Sequence, residues 1–233
     1  MKKIYIKSHA FGAGKWIYRG YEAAWKSKGY TVVLYDRLED IDASKSYEIM
    51  ALDGMVNQSN LEYIKKADRC YLYVQPNSFP DPWGKHPNFI SLCDDQTIKQ
   101  INDLKNVYQW CFSKVTSYHN KWKNINYVPL AFDSNNYKPI EDNEYAFDVC
   151  FVGGWADNGF DEKRHIMINH FKAFKESKMK CGFFINRDIS HEVETKILSN
   201  SKICLNIHDA YQRNLGLDTN ERTFKSLGLK GCL

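Results

Sequence analysis

Two basic residues lie about one helical turn apart near the end of the chain, in the segment Asn-Glu-Arg-Thr-Phe-Lys at positions 220–225. A helix that begins near Asn220 would place free backbone N–H groups beside the guanidinium of Arg222, and both would stabilise a bound anion. Lys225 follows Arg222 at i+3, so the two cations repel each other unless a negative group lies near them. The segment therefore predicts an anion site. The alternative is a capped helix with two solvated cations.

A second group of residues suited to anion binding follows a predicted strand at positions 147–152. Gly153 and Gly154 turn the chain there, and glycine lets the backbone approach a diphosphate closely. Arg164 falls in the first turn of the next predicted helix, where a cation opposes the helix dipole and is better explained by a ligand. His208 follows another predicted strand and is expected at the same sheet edge. The alternative is a tight turn followed by a solvated arginine.

Positions 75–88 contain four of the six prolines and are predicted to form a long surface loop. This loop brings together Asp81, Trp83 and His86. An aromatic ring can stack on a sugar, and a carboxylate or imidazole can take a proton from a hydroxyl group. Asp81 and His86 are therefore the candidate catalytic bases, with ordinary surface polar residues as the alternative. Asp94 and Asp95 are interpreted instead as a helix cap.

A glycine-containing loop is predicted after the first strand. Gly12 and Gly14 interrupt the alternating pattern there, and Lys15 follows. Their spacing matches neither a P-loop nor G-x-G-x-x-G, so it does not indicate ATP or NAD binding. As a loop at a cleft, these residues would contact the acceptor or the donor phosphates.

Composition narrows the class of protein. The chain has 233 residues, of which 43% are hydrophobic and 26% charged, as in ordinary globular proteins. It contains no apolar run near the roughly 20 residues of a membrane span, and its start lacks the apolar core of a signal peptide, so a cytoplasmic protein is expected. The net charge of +4 is scattered and indicates no nucleic-acid partner.

The seven cysteines follow no zinc-binding or disulfide spacing. We therefore predict reduced thiols and no metal site. Five of the cysteines lie in short apolar runs and are expected to be buried: Cys70, Cys111, Cys150, Cys204 and Cys232.

Strands alternate with helices along the chain, which predicts parallel sheets with right-handed crossovers. A turn-rich connector ends near Pro139, and we place a domain border there. The sequence thus predicts two Rossmann-like domains facing a cleft, at 1–139 and, shorter, at 140–233. The predicted strands are 3–8, 31–35, 47–52, 70–74, 107–112, a short one from 127, 147–152, 181–185, 203–207 and one from 232. The predicted helices are 15–28, 61–67, 96–104, one from 161, 192–199 and 221–227.

Four segments, in order, resemble the spore-maturation-protein type of group 1 glycosyltransferases. They are Val-Pro-Leu-Ala-Phe-Asp at 128–133, Phe-Asp-Val-Cys-Phe-Val-Gly-Gly at 147–154, Ser-Lys-Ile-Cys-Leu-Asn-Ile at 201–207 and Asn-x-Arg-Thr-Phe at 220–224. The resemblance spans about 127–233. It implies a GT-B fold whose C-terminal domain holds a nucleotide-sugar donor and whose N-terminal domain presents a hydroxyl acceptor, such as a glycan. It also implies sugar transfer with no cofactor beyond the donor.

The resemblance assigns donor-binding roles to Gly153, Gly154, Arg164, Asn220 and Arg222. The family usually has a glutamate where this chain has Lys225, and lysine cannot accept hydrogen bonds from ribose hydroxyls. Three explanations are open: Glu221 substitutes for that glutamate, the nucleotide preference has changed, or donor binding is lost. Chains of the family also continue past the Gly-Cys-Leu segment at 231–233, so either a fragment or a short relative is expected.

Two alternative functions remain open from the sequence. A non-catalytic nucleotide- or glycan-binding relative is favoured by Lys225. An oxidoreductase would use the first glycine segment, with Asp36 after the second strand as the ribose-binding acid, but the dinucleotide fingerprint is missing.

Overall fold

The computed structural model describes residues 2–9, 12–77, 93–114, 117–154, 162–208 and 220–231. The chain divides into two compact units, which we call unit 1 (Met1–Pro129) and unit 2 (Leu130–Leu233). This division comes before the border predicted near Pro139. The physical reason is that the connector belongs to unit 2, because Tyr137 is buried in the core of that unit and Phe132 packs against it.

Unit 1 contains a six-stranded parallel sheet in the order β2-β1-β3-β4-β5-β6. Its first five strands follow the flavodoxin-like doubly wound order, in which β1 lies between β2 and β3. The elements are β1 (Lys3–Lys7), α1 (Gly12–Ser27), β2 (Thr31–Tyr35), β3 (Glu48–Leu52), α2 (Leu61–Lys66), β4 (Arg69–Tyr73), α3 (Asp95–Asn102), β5 (Val107–Cys111) and β6 (Ile125–Tyr127), with 3-10 helices at Leu38–Asp40, Asp53–Met55 and Ser117–His119.

The helix α1 begins earlier than predicted. Gly12, Gly14 and Lys15 lie in its first turn rather than in a loop, so the prediction of a glycine loop there is wrong. Glycine weakens a helix but does not forbid one, and packing outweighs this weak preference. The apolar side of α1 is formed by Tyr18, Tyr21 and Trp25, which pack against a core of Ile4, Ile6, Met50 and Trp110. Gly29, at φ +81°, follows the end of the helix as predicted.

The opposite face of the six-stranded sheet carries the larger core of unit 1. Strand residues such as Ile49, Cys70 and Leu72 alternate with those that face α1, as parallel strands covered on both faces require. Leu61 and Ile64 of α2 and Ile98 of α3 pack against them. Asp94 accepts a hydrogen bond from the N–H of Thr97 at 2.9 Å, which confirms the predicted cap of α3.

Unit 2 contains a three-stranded parallel sheet in the order β8-β7-β9. The predicted strand at 203–207 is shorter in the structure, and the strand predicted from Cys232 lies outside the described residues. Both units are therefore mixed α/β layers with parallel sheets, compatible with Rossmann-like domains. The elements are β7 (Val149–Gly153), α4 (Glu162–Glu176), β8 (Cys181–Ile185), α5 (His191–Asn200), β9 (Ile203–Cys204) and α6 (Glu221–Gly228), with a 3-10 helix at Asn143–Tyr145.

The predicted burial of the cysteines is confirmed for the residues that the structure describes. Cys70, Cys111, Cys150 and Cys204 are buried and not in disulfides, whereas Cys232 lies outside the described ranges. Within those same ranges, every helix is too short or too polar to cross a lipid bilayer.

Candidate functional site

The carboxyl edge of the sheet in unit 2 gathers polar residues from four elements. Gly153 ends β7, Asn186 follows β8, Asn206 follows β9, and Asn220 begins α6. Ligands of open parallel sheets bind at this edge, where strand ends and helix N-termini converge. We use the name edge cluster for the five residues Gly153, Asn206, Asn220, Arg222 and Thr223.

Arg222 is the cation of the edge cluster. Its Nε donates to the carbonyl oxygen of Val152 at 2.9 Å, and its Nη1 donates to Oδ1 of Asn206 at 3.2 Å. The guanidinium carbon lies 4.9 Å from the ring centroid of Phe151. These two acceptors are amide oxygens, and together with the aromatic ring they orient the plane of the guanidinium group.

Asn206 connects the members of the edge cluster. Its Oδ1 accepts from Nδ2 of Asn220 at 2.9 Å as well as from Arg222, and its Nδ2 donates to Oγ1 of Thr223 at 2.8 Å. Sequence reasoning assigned no site role to Asn206, because the residue was interpreted as part of an apolar strand. The available signal was a polar side chain at the end of that apolar run.

The side chain of Asn220 caps α6, which begins near Asn220 as the sequence predicted. Its Oδ1 accepts from the N–H of Thr223 at 3.1 Å, and Oγ1 of Thr223 accepts from the N–H of Asn220 at 3.4 Å. This reciprocal capping box fixes the first turn of α6 beside Arg222. The positive end of the helix dipole therefore lies at the edge cluster.

The paired glycines allow the backbone of β7 to lie against Arg222. Gly153 has φ +152°, and a Cβ atom there would collide with Nη2 of Arg222. A Cβ atom on Gly154 would lie 2.6 Å from Oδ1 of Asn186, whose own N–H donates to the carbonyl oxygen of Gly153 at 2.9 Å. At Gly153 the positive φ and the contact with Arg222 both favour glycine, whereas at Gly154 a side chain would displace Asn186.

Two further predicted donor-binding residues lie in unit 2, His208 after β9 and Arg164 in the first turn of α4. The Nε2 atom of His208 is 3.4 Å from Nδ2 of Asn206, which brings His208 to the edge cluster. Arg164 is exposed and lies in the first turn of α4, as predicted.

An ion pair joins Lys225 to Glu221, two residues that the sequence analysis considered for the donor site. Lys225 is buried and forms ion pairs with Glu194, at 2.9 Å between Nζ and Oε1, and with Glu221. Its Nζ also lies 5.5 Å from the ring centroid of Tyr137. We name Glu194, Glu221 and Lys225 the ion triad. The negative groups that accommodate the second cation of this helix are therefore the protein's own carboxylates.

The electrostatics of the ion triad favour a charged lysine. Burial lowers the pKa of Lys225, but the nearby carboxylates of Glu221 and Glu194 outweigh it, so the pKa lies well above the ordinary value. The i,i+4 spacing of Glu221 and Lys225 places the two side chains together on α6. The ammonium of Lys225 is buried between α5 and α6, where it joins the two helices, and its donor-binding role stays a prediction.

The predicted residues of unit 1 have local packing partners. A Cβ atom on Gly14 would lie 2.8 Å from Nδ1 of His9, and Nζ of Lys15 lies 5.0 Å from the ring centroid of Trp16. Asp36 ion-pairs with Lys7 at 3.6 Å and accepts a hydrogen bond from Ser8.

The candidate bases Asp81 and His86 lie outside the described residues, as does Trp83. Over the described ranges, no group of three His, Cys, Asp or Glu side chains is arranged to hold a metal ion. Comparison of the chain with protein-family models and with curated proteins finds no match.

Proposed function

We propose that the chain is a glycosyltransferase of the GT-B type that moves a sugar from a nucleotide-sugar to a hydroxyl acceptor, with the donor diphosphate bound at the edge cluster. The observation that carries this proposal is the fixed guanidinium of Arg222, held beside Gly153 by Val152 and Asn206. The order of the four resembling segments supports the same function, because three of them supply the edge cluster.

The leaving group in such a reaction is a nucleoside diphosphate, which gains negative charge as the sugar departs. Arg222 and the N-terminus of α6 would stabilise that charge without a metal ion. The two hydrogen bonds of Arg222 hold the cation in place before the ligand arrives, so little reorganisation is needed during transfer. Arg164 and His208 are proposed as further contacts of the donor.

The acceptor is assigned to unit 1, with Asp81 and His86 as the candidate bases that take the proton of the attacking hydroxyl. No cofactor beyond the nucleotide-sugar is proposed. We assign the protein to the cytoplasm, since a reducing compartment suits its six described free cysteines.

A second candidate function is nucleotide or glycan binding without turnover. The observation that favours it is the ion triad, in which the carboxylate of Glu221 is bonded to Lys225. That carboxylate is therefore directed to a protein cation rather than to ribose hydroxyls. Donor binding would then take place without a ribose-binding carboxylate from Glu221.

An oxidoreductase is the weakest candidate. The strand order of unit 1 has β1 between β2 and β3, whereas the dinucleotide-binding order is 3-2-1-4-5-6. Asp36, the acid required for that function, bonds with Lys7 and Ser8.

Thermal-shift measurements with nucleoside diphosphates, nucleotide-sugars and NAD test these candidates. A ligand at a hundred times its Kd should stabilise the protein by about 2.7 kcal/mol. A selective shift with one nucleoside diphosphate supports the donor site. Hydrolysis of the matching nucleotide-sugar then separates an enzyme from a binding module. If a cooperatively unfolding sample shows no shift with any nucleoside diphosphate or nucleotide-sugar, that result contradicts both the glycosyltransferase and the binding-module proposals. A shift with NAD alone favours the oxidoreductase.

A further inference from the structure

Two buried thiols face each other directly beneath the edge cluster. Cys150 on β7 and Cys204 on β9 are register partners in neighbouring parallel strands, and their Sγ atoms are 3.6 Å apart. Neighbouring strands lie about 4.8 Å apart, which falls within the Cα separations of about 4.4–6.8 Å that disulfides require. The backbone spacing therefore suits a disulfide, which needs the sulfur atoms to come closer than they are now.

The surroundings of Cys150 favour its reactive form. The hydrogen bond with Cys204 lowers the pKa of the Cys150 thiol, and Ser201 and the charge of Arg222 act in the same direction against the effect of burial. By contrast, burial raises the pKa of Cys93 to about 12 and raises that of Cys70 as well. The thiolate is the nucleophile, so Cys150 is better prepared for oxidation than these two cysteines.

Each cysteine is two residues before an anchor of Arg222. Cys150 precedes Val152, whose carbonyl accepts from Nε, and Cys204 precedes Asn206, whose side chain accepts from Nη1. Both anchors lie on the chain segments that carry the two cysteines. A bond that draws the sulfur atoms together would pull on the backbone of both segments and so shift the two anchors.

We propose that Cys150 and Cys204 form a reversible disulfide that displaces the anchors of Arg222 and weakens anion binding at the edge cluster. Both thiols are fully buried, so oxidation requires local opening, and β9 is only two residues long. The effect on the ligand rests on the function proposed above, but formation of the disulfide and loss of the anchors do not.

Hydrogen peroxide is a suitable oxidant because it is small and uncharged. The Cys150 thiolate attacks one peroxide oxygen and breaks the O–O bond, giving a sulfenic acid and hydroxide, which takes up a proton to become water. The sulfur of Cys204 then attacks the sulfenic sulfur, forms the S–S bond and releases a second water. The two sulfur atoms lose two electrons, and the peroxide oxygens gain them. A dithiol reductant reverses the reaction by thiol–disulfide exchange.

The test treats the full chain with hydrogen peroxide and maps its cysteines by mass spectrometry. We expect a peptide pair linked through Cys150 and Cys204 and a loss of about 2 Da from the intact mass, reversed by dithiothreitol. Cys150→Ala and Cys204→Ala should each abolish the link, whereas Cys70→Ala should retain it. Linkage to other cysteines, or peroxide treatment that leaves both thiols reduced, would overturn the proposal.

Two readouts on the oxidised protein test the switch. Amide hydrogen exchange in the first turn of α6 should become at least about tenfold faster, because the capping network around Asn206 loosens. For a protein that binds UDP when reduced, the Kd for UDP should rise at least about tenfold, as expected when one charge-assisted hydrogen bond is lost. Unchanged exchange overturns the switch whether or not UDP binds. Failure of the reduced protein to bind any nucleotide contradicts the proposed function alone.

Discussion

Arg222 and Lys225 lie three residues apart on α6, yet they belong to different regions of the molecule. Lys225 is buried in the ion triad, where two carboxylates bind its ammonium. Arg222 lies in the edge cluster, where neutral oxygens of Val152 and Asn206 orient its guanidinium. The ammonium of Lys225 is bound by carboxylates of its own unit and serves the fold, whereas the guanidinium of Arg222 is oriented at the sheet edge where a ligand would bind.

The comparison predicts that changes in the ion triad affect stability and that changes in the edge cluster affect binding. Removing one partner of a buried ion pair is strongly destabilising, because the remaining charge is left in a poorly solvated place. Removing a hydrogen-bonded cation from a sheet edge chiefly removes the interaction with the ligand.

Lys225→Met should produce the largest loss of stability. The substitution leaves Glu194 and Glu221 facing each other without their cation, so we expect the free energy of unfolding to fall by about 3–5 kcal/mol. Chemical denaturation measures this change. Glu221→Gln is the matched control, since it keeps the pair of Lys225 with Glu194 and should therefore cost less than Lys225→Met. Equal losses in both variants would contradict the account of the ion triad.

Gly153→Ala should lower the stability of the fold and also weaken nucleotide binding. Its φ of +152° and the collision of a Cβ atom with Arg222 predict a loss of about 1–3 kcal/mol in unfolding free energy, together with weaker nucleotide binding. Gly29→Ala is the control, because Gly29 also has a positive φ but its Cβ atom would meet nothing within 4 Å. If the two variants bind nucleotide equally well, close packing of Gly153 against Arg222 is not needed for the site.

A smaller effect is expected from His119 in unit 1, a buried titratable residue that bonds with the backbone carbonyl of Val74. Burial lowers its pKa, although the bond with Val74 opposes this. Below about pH 6.5 the unfolded state takes up a proton that the native ring resists. Stability should therefore fall as the pH drops, by at most about 1.4 kcal/mol per pH unit from this residue.

Denaturation at pH 7.5, 6.5 and 5.5 measures the dependence, and His119→Gln should flatten it. The pH dependence of the His9→Gln variant is measured for comparison, because burial also lowers the pKa of His9. A slope unaltered by His119→Gln would show that other groups carry the pH dependence.

Much of the fold could be predicted from the sequence, because apolar runs that alternate with helical stripes leave few arrangements for a parallel sheet. The strand Cys181–Ile185 and the cap at Asp94 followed directly from local pattern. The start of α1 could not be predicted in this way, since Gly12 and Gly14 are weak helix formers whose conformation depends on packing.

The edge cluster could be predicted only in part. Its glycines and Arg222 were marked by their types and their positions after a strand and at a helix start. The role of Asn206 depends on partners 14 to 17 residues away in sequence, so local pattern does not reveal it. The burial of Lys225 could not be predicted for the same reason, because one of the two carboxylates that bind it, that of Glu194, belongs to α5.

The central claim is that Arg222 binds the diphosphate of a nucleotide-sugar. Calorimetric titration of the nucleoside diphosphate selected by thermal shift tests it most directly, with the wild-type chain, Arg222→Ala and the exposed-lysine control Lys178→Ala. We predict that Arg222→Ala weakens binding at least about tenfold while Lys178→Ala changes it by less than about twofold. A folded Arg222→Ala protein with wild-type affinity would contradict the claim.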